Sequence, residues 1–163
     1  METIIMKIKY GEIEIELFKD EAPNHVKRIL ELVNDGKYNG VAFHRVIEGF
    51  MAQTGDGQYG SLKDGFQVDR AGMGGSKLPN LEAEFTSEPF VRGIVGMARS
   101  QDPNSANSQF FIMLDDSPHL NNQYTVWGKV VKGMEVVDKI KKGDQLDNGK
   151  VVEPDFIKTT KNV

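Results

Sequence analysis

The sequence contains no cysteine, and only three of its 163 residues are histidine. Disulfides, thiol catalysis and zinc sites built on thiolates are therefore excluded. The three histidines, His25, His44 and His119, have no ligand-like spacing, so neither a metal site nor a cofactor is expected. No apolar run is long enough to span a membrane. The first residues alternate and carry charge, which favours a strand over a signal peptide.

Basic residues are also in the minority: 20 lysines and arginines face 24 acidic residues, for a formal net charge of -4. No basic tract stands out, so a role in nucleic-acid binding is not expected. Hydrophobic residues make up 39% of the chain and charged residues 27%, as in ordinary globular proteins. The length favours one domain over residues 1–163 with a single core. A cytoplasmic monomer is the default expectation.

Alternation of apolar and polar residues predicts a hairpin at the start of the chain, and further extended stretches predict several more short strands. Two segments have helical spacing instead: one begins near Pro23 and ends before Gly36, and the other covers residues 134 to 140. Pro154 is expected to place the last strand at an edge. The predicted strands cover residues 4–9, 13–18, 38–47, 90–97, 110–114, 124–130 and 151–160.

Residues 55 to 80 are rich in glycine and have little apolar periodicity, which predicts a long loop. Loops of this length inside a compact domain are often functional. The glycine clusters lack the Gly-Lys-Ser/Thr ending of a phosphate-binding loop, so phosphate binding is not expected. For residues 57 to 70 a simple surface insertion is the favoured interpretation, and a partner-binding or specificity role is the alternative.

Three motifs carry most of the functional information. Residues 43 to 56 read Phe-His-Arg-Val-Ile-Glu-Gly-Phe-Met-Ala-Gln-Thr-Gly-Asp, and residues 93 to 99 read Gly-Ile-Val-Gly-Met-Ala-Arg, followed by Asn-Ser-Gln-Phe-Phe-Ile at 107 to 112. Val-Trp-Gly-Lys-Val follows at 126 to 130. Together they closely resemble the cyclophilins, the peptidyl-prolyl cis/trans isomerases, in family order from near residue 13 to near residue 140. The resemblance implies a mainly β fold, a closed eight-stranded antiparallel barrel capped by two helices.

Side-chain parity supports a site in the same region. In the strand after Asn107, Gln109 and Phe111 share one face, while Phe110 and Ile112 share the other. One face belongs to the core, and the other presents an amide beside an aromatic ring. Spacing alone leaves open a strand buried on both sides against a helix; the resemblance favours a pocket.

The segment before the glycine-rich loop follows the same parity rule. Arg45, Met51 and Gln53 share one face if the strand stays regular, with a bulge possible at Gly49. His44 points to the opposite face, and it is interpreted as a hydrogen-bonded core histidine rather than a catalyst.

The cyclophilin proline site is carried over by matching positions. The resemblance implies that Arg45 is the catalytic guanidinium and that Gln53 and Phe50 are the other catalytic residues. Arg99 is expected to hold the substrate backbone through its main chain. The implied substrate-binding residues are Met51, Gly72, Ala98, Arg99, Ser100, Gln109, Phe111, His119, Leu120 and Tyr124.

Three features depart from the best-known cyclophilins. His119 replaces the family tryptophan, Tyr124 replaces the family histidine at the far edge of the pocket, and the loop before Gly72 is about ten residues longer than the short form. The expected activity is unaffected, because the arginine and the main apolar wall are present. Weaker binding of cyclosporin, the family inhibitor, is expected. A mild pH dependence of peptide binding through His119 is a hypothesis, and an inert surface histidine is the favoured alternative.

The resemblance implies an isomerase that turns X–Pro bonds in proline-containing peptides and in unfolded or flexible protein segments, and so assists folding. Two other functions compete with it: a peptide-binding or chaperone module with incidental turnover, and a structural scaffold. A binding module has no need for a guanidinium directed at the imide. A scaffold has no need for Gln53, Gln109 and Phe111 at one site.

Overall fold

The computed structural model of the protein describes residues 2–163, and its main feature is one antiparallel sheet of eight strands. The strand order is β3-β4-β6-β5-β7-β2-β1-β8, which leaves β3 and β8 at the two edges. A mainly β fold with eight antiparallel strands and two α-helices is therefore confirmed. The strands are β1 (Thr3–Ile8), β2 (Gly11–Leu17), β3 (Arg45–Ile47), β4 (Met51–Thr54), β5 (Ile94–Met97), β6 (Phe110–Met113), β7 (Val126–Lys132) and β8 (Thr159–Asn162).

The first two strands form the predicted hairpin. Their register runs from Thr3 opposite Glu16 to Ile8 opposite Gly11. Every second side chain points inward, and each fully buried apolar side chain of this size contributes roughly 1.5–3 kcal/mol to folding. The inward residues are Ile4, Met6, Ile8, Ile13, Ile15 and Leu17.

The helices lie near their predicted positions. Helix α1 (Pro23–Asn34) begins with proline at its first position, where a missing N–H costs nothing. Gly36 follows with a φ of 68°, a left-handed conformation that favours glycine. Helix α2 (Met134–Asp138) is shorter than predicted, although Ile140 is buried just beyond it. Neither helix of the described chain has the length and apolar character that a membrane span requires.

Strand β6 separates two apolar clusters. Phe110 and Ile112 face the main core, which also contains Trp127 and the inward side of the hairpin. Phe111 and Met113 face a smaller cluster with Met51. The parity predicted for this strand is confirmed, and the side that carries Phe111 is the side of the candidate site.

The last predicted strand is wrong over most of its length. Residues 151 to 158 lie outside the strands, and only β8 pairs regularly, with β1. Proline lacks a backbone N–H, so Pro154 interrupts any regular ladder here. Isolated backbone hydrogen bonds take the place of the ladder, among them Phe43 N to Asp155 O at 2.9 Å and Ile157 N to Val41 O at 2.9 Å.

Two other predicted strands are too long. Of residues 38 to 47, only β3 is a strand, and Val41 and Ala42 form isolated bridges. Of residues 90 to 97, only β5 is a strand. The predicted loop at 55 to 80 contains no helix and no named strand.

Candidate active site

Three neighbouring strands place three of the predicted site residues in one row across the sheet. Arg45 on β3 lies opposite Gln53 on β4, and Gln53 lies opposite Phe111 on β6. Directly opposed residues of an antiparallel pair project to the same face. Arg45 and Gln53 therefore share a face as predicted, although they do so across a turn between two strands and not along one regular strand.

A chain of side-chain hydrogen bonds crosses this face. Arg45 Nη1 donates to Gln53 Oε1 at 3.0 Å, and Gln53 Nε2 donates to Gln109 Oε1 at 3.0 Å. Gln109 Nε2 then donates to the carbonyl oxygens of Gly72 and Gly74, both at 2.8 Å. The two amides are thereby oriented, and the guanidinium is connected to the glycine-rich loop.

Asn148 holds the guanidinium from its other side. Arg45 Nε donates to the main-chain oxygen of Asn148 at 3.0 Å, and Arg45 Nη2 donates to its Oδ1 at 3.1 Å. Asn148 has a φ of 55°, and asparagine tolerates this left-handed conformation better than most residues. Sequence reasoning missed this residue; the only signal was the turn dipeptide that it forms with Gly149.

Burial lowers the pKa of Arg45, and the nearby Tyr124 acts in the opposite direction. Arginine stays protonated far above neutral pH, so the group remains a cation at neutral pH. Among residues 2–163 it forms no ion pair, and all three of its bonds go to neutral oxygens.

An apolar pocket of about 130 Å³ lies beside the guanidinium. Met51 and Phe111 form its buried base, while Phe50, Leu120 and Tyr124 are only partly buried. The pocket is lined by Arg45, Phe50, Met51, Gln53, Ala98, Arg99, Phe111, Leu120 and Tyr124.

Gly96 makes room for the base of this pocket. It lies opposite Phe111 in the sheet, and a Cβ at position 96 would come within 2.8 Å of Phe111 Cζ and of Phe90 Cε2. Real Cβ contacts are not that short, so a side chain here would displace the two stacked rings.

A second, more polar groove of about 200 Å³ continues from the first pocket. Gln53, Ala98 and Arg99 line both. The other predicted residues along the groove are Gly72, Ser100 and Gln109. The structure thus brings together every predicted site residue except His119, which is exposed and lies outside both linings. The His119 ring is 6.2 Å from that of Phe50.

The buried side chain of Asp56 anchors the glycine-rich loop. Its buried carboxylate accepts four backbone N–H groups: Oδ1 those of Gln58 and Tyr59, and Oδ2 those of Gly72 and Gly74 at 2.8 and 3.1 Å. The same two glycines accept from Gln109. Sequence reasoning treated Asp56 only as part of a motif and missed this role.

His44 is buried, as predicted, but it is not hydrogen-bonded. Neither ring nitrogen has a partner in the part of the chain that the structure describes. Burial lowers the pKa of His44 to about 4, so the ring is neutral at pH 7. The expected hydrogen bond is wrong because no acceptor or donor of the described residues lies within hydrogen-bond geometry of either ring nitrogen.

No cluster of three histidine, aspartate or glutamate residues suited to a metal ion occurs between residues 2 and 163. What the site offers is one oriented cation, two oriented amides and an apolar pocket. This set can bind and polarise a neutral polar group without covalent chemistry.

Comparison with known proteins agrees with this geometry. The family model for the cyclophilin type peptidyl-prolyl cis-trans isomerase/CLD matches residues 3–162. A probable peptidyl-prolyl cis-trans isomerase of Brucella suis is 64% identical over 155 residues, which cover 95% of this chain and 79% of that protein.

Solved structures are similar as well. A Cryptosporidium parvum cyclophilin type peptidyl-prolyl cis-trans isomerase, crystallised in the presence of the dipeptide Ala-Pro, is 29% identical with a TM-score of 0.81. The match covers 97% of this chain and 96% of that one. The cyclophilin AquaCyp293 of Hirschia baltica is 27% identical with a TM-score of 0.80, covering 98% of this chain and 73% of that one.

Proposed function

The chain belongs to the family of cyclophilin-type peptidyl-prolyl cis-trans isomerases and is an enzyme of that class, and we propose that Arg45 and the apolar pocket beside it carry the reaction. The observation that supports this most directly is the guanidinium itself. It is oriented by Gln53 and Asn148 and lies at the edge of a pocket lined by Met51 and Phe111.

The reaction needs no nucleophile, because no bond is broken. Resonance gives the peptide C–N bond partial double-bond character and a rotation barrier of about 18–20 kcal/mol. Twisting the bond localises a lone pair on the proline nitrogen. A donor near that nitrogen stabilises the twisted state more than the planar one, which is differential binding of the transition state.

Arg45 has donors left for this purpose. A guanidinium carries five N–H groups, and three of them donate to Gln53 and Asn148. One N–H on each terminal nitrogen has no partner within the described residues. The rigid fork allows these two to be aimed while the others hold the group in place.

In our proposal Arg45 does not act alone, because the free energy of one hydrogen bond limits its effect on the rate. A charged hydrogen bond contributes about 1.5–3 kcal/mol, which corresponds to about ten- to a hundredfold in rate. A twisted amide has a smaller carbonyl dipole than a planar one, so an apolar surround penalises it less. Phe50, Met51, Phe111 and Leu120 supply that surround in our proposal.

The proposed substrates are proline-containing peptides and unfolded or flexible protein segments, and the proposed role is to assist folding. The similar Cryptosporidium enzyme, crystallised in the presence of Ala-Pro, supports a proline peptide as the ligand. The polar groove along Gly72, Ser100 and Gln109 contains carbonyl oxygens, each of which can accept a further hydrogen bond from a peptide backbone.

The peptide-binding module is the second candidate function. The same groove favours it, since Gln53 and Gln109 suit binding as much as turnover. The experiment is cis/trans exchange of an Ala-Pro peptide by NMR with catalytic amounts of wild type, with binding measured on the same sample. Accelerated exchange supports the isomerase; binding without accelerated exchange would leave only the module.

We propose that cyclosporin binds more weakly here than to cyclophilins that have the family tryptophan. His119 is exposed and only approaches Phe50, so it covers less apolar surface than an indole would. We expect His119→Trp to tighten cyclosporin binding in titration calorimetry. Equal affinity of wild type and the variant would contradict this expectation.

Three further proposals concern the whole chain: a single domain, a monomer and a cytoplasmic location. We also propose that the sheet closes into a barrel. Hydrogen bonds between residues 40–46 and 149–157 support closure, including Gly40 N to Ile157 O at 2.6 Å and Val151 N to His44 O at 3.1 Å.

A further inference from the structure

The side chain of Arg99 makes an unusual set of contacts at the junction of the pocket and the groove. Its Nε and Nη2 both donate to the main-chain oxygen of Gln123, at 3.1 and 2.6 Å, and its Nη1 donates to that of Ser100 at 2.9 Å. Within the described chain this guanidinium forms no ion pair. All of its hydrogen-bond partners are neutral carbonyl oxygens.

The same guanidinium lies over the ring of Tyr124, with 4.6 Å between its carbon and the ring centroid. A cation in this position is attracted by the negative face of an aromatic ring. Tyr124 also packs against the smaller apolar cluster at the base of the pocket. Tyr124 meets Phe111 edge-on at 5.5 Å and 87°, and it meets Phe90 at 6.3 Å.

From these contacts we propose that Arg99 is a positioning residue that acts through its side chain. It ties Tyr124 to the segment around Gln123 and holds its ring as a fixed wall of the proline pocket. This proposal rests on the function proposed above. It adds a side-chain role to the main-chain role that the sequence predicts for Arg99.

The geometry explains why arginine is needed for this task. Its planar group can lie flat on the Tyr124 ring and still direct N–H groups in its own plane to Gln123 and Ser100. Lysine carries the same charge, but it cannot do both at once. Because Ser100 belongs to the groove and Tyr124 to the pocket, the side chain also links the two halves of the site.

The test measures binding of the tetrapeptide Ala-Ala-Pro-Phe by NMR titration, together with its exchange rate at saturation. We expect Arg99→Gln and Arg99→Lys to raise the Kd about two- to fivefold, which corresponds to about 0.5–1 kcal/mol. The exchange rate at saturation should change less than the Kd, because Arg99 shapes the wall and does not face the imide. Wild-type affinity in both variants would overturn the proposal.

Double variants show whether the effect passes through Tyr124. In a Tyr124→Phe background, which keeps the ring, Arg99→Gln should raise the Kd by the same factor as in wild type. In a Tyr124→Leu background it should add nothing further. An equal effect in both backgrounds would mean that Arg99 acts by another route and would overturn the proposal.

A readout separate from binding is the ¹⁹F resonance of protein labelled with 3-fluorotyrosine, in which Tyr124→Phe identifies the signal of residue 124. Arg99→Gln should shift that signal, while Lys161→Gln, on strand β8, should not. An unchanged signal would contradict the contact. If wild type accelerates no exchange, the proposed function fails, whereas the titrations and the ¹⁹F signal still test Arg99.

Discussion

The guanidinium of Arg45 is oriented by Asn148, which lies 103 positions further along the chain. The motif of residues 43 to 56, through its resemblance to the cyclophilins, predicted both the cation of Arg45 and its neighbour Gln53. Nothing local could predict Asn148. Its contribution depends on a left-handed backbone conformation and on the path of residues 143 to 150. Sequence reasoning therefore missed those contacts of the site that form only when the fold brings distant segments together.

Asn148→Gly tests this support. Glycine keeps the main-chain oxygen and accepts a φ of 55° without strain, while the Oδ1 contact to Arg45 is lost. A hydrogen bond of this kind contributes about 0.5–1.5 kcal/mol, so turnover should fall about two- to tenfold. The measurement is peptide exchange by NMR, with urea unfolding as a check on stability.

Asn122→Gly is the matched control, since Asn122 also has a positive φ, of 62°, and does not contact Arg45. It reports the effect of added chain flexibility when no contact to Arg45 is lost. Equal turnover in Asn148→Gly and wild type would show that the main-chain oxygen and Gln53 orient the guanidinium without the side chain.

At the scale of single elements, strand β6 was predicted well and the C-terminal strand badly. Alternation assigned Phe110 and Phe111 to opposite faces, and they lie in separate apolar clusters. The predicted C-terminal strand also covered residues 151 to 158, where Pro154 and isolated hydrogen bonds take the place of a ladder. Periodicity predicts which face a side chain occupies, but pairing requires a partner strand with matching register.

The glycine-rich loop is the second element where sequence was only partly informative. Its length and composition predicted a loop, with a simple surface insertion favoured for residues 57 to 70, but not the carboxylate that holds it. Asp56 is buried, and its bonds to Gly72 and Gly74 fix the two carbonyl groups that Gln109 contacts. The loop, the amides and Arg45 therefore form one connected unit.

Asp56→Asn tests this connection. The amide keeps one acceptor oxygen and replaces the other with an N–H₂ group, which cannot accept a hydrogen bond. Depending on how the amide is oriented, either the N–H groups of Gly72 and Gly74 or those of Gln58 and Tyr59 lose their acceptor. A buried N–H left without a partner costs about 1–3 kcal/mol. We therefore expect faster amide hydrogen exchange in the loop and weaker peptide binding.

Asp116→Asn serves as the control, because Asp116 accepts from Arg92 N on a surface turn. It should leave the loop amides as protected as in wild type. Unchanged protection of all four amides in Asp56→Asn would contradict the anchoring role.

For the molecule as a whole, composition and alternation predicted a mainly β globular chain, and the resemblance predicted eight antiparallel strands and two helices. The strand order was not predictable from periodicity. Strand β6, for example, pairs with β4, which does not directly precede it in the sequence, and with β5, from which a long segment separates it. Hydrophobic patterns specify which residues are buried. They do not specify which strands meet across loops of tens of residues.

Two buried histidines make global stability depend on pH. Burial lowers the pKa of His44 to about 4 and also lowers that of His25, against the opposing effect of Glu84. The unfolded chain binds the His44 proton near pH 6.5, so it holds more protons than the native state between about pH 6.5 and 4. The contribution of His44 to stability is complete above about pH 6.5 and is lost as the pH falls towards 4, and His25 acts in the same direction.

Urea unfolding at pH 7 and pH 4.5 measures this effect. The wild type should lose about 2 kcal/mol more than His44→Phe between the two pH values. Other titrating groups are common to both proteins and cancel in the difference. Parallel losses in wild type and His44→Phe would show that His44 titrates alike in both states.

The measurement that tests the central claim most directly is the cis/trans exchange rate of an Ala-Pro peptide by NMR, with wild type, Arg45→Ala and Arg45→Lys. Loss of a charged hydrogen bond to the twisted imide predicts at least a tenfold fall, from about 1.5 kcal/mol or more, in Arg45→Ala with the fold intact. Arg45→Lys should recover little, since it keeps the charge without the fork. Fast exchange in Arg45→Ala, equal to that of wild type, would contradict the account.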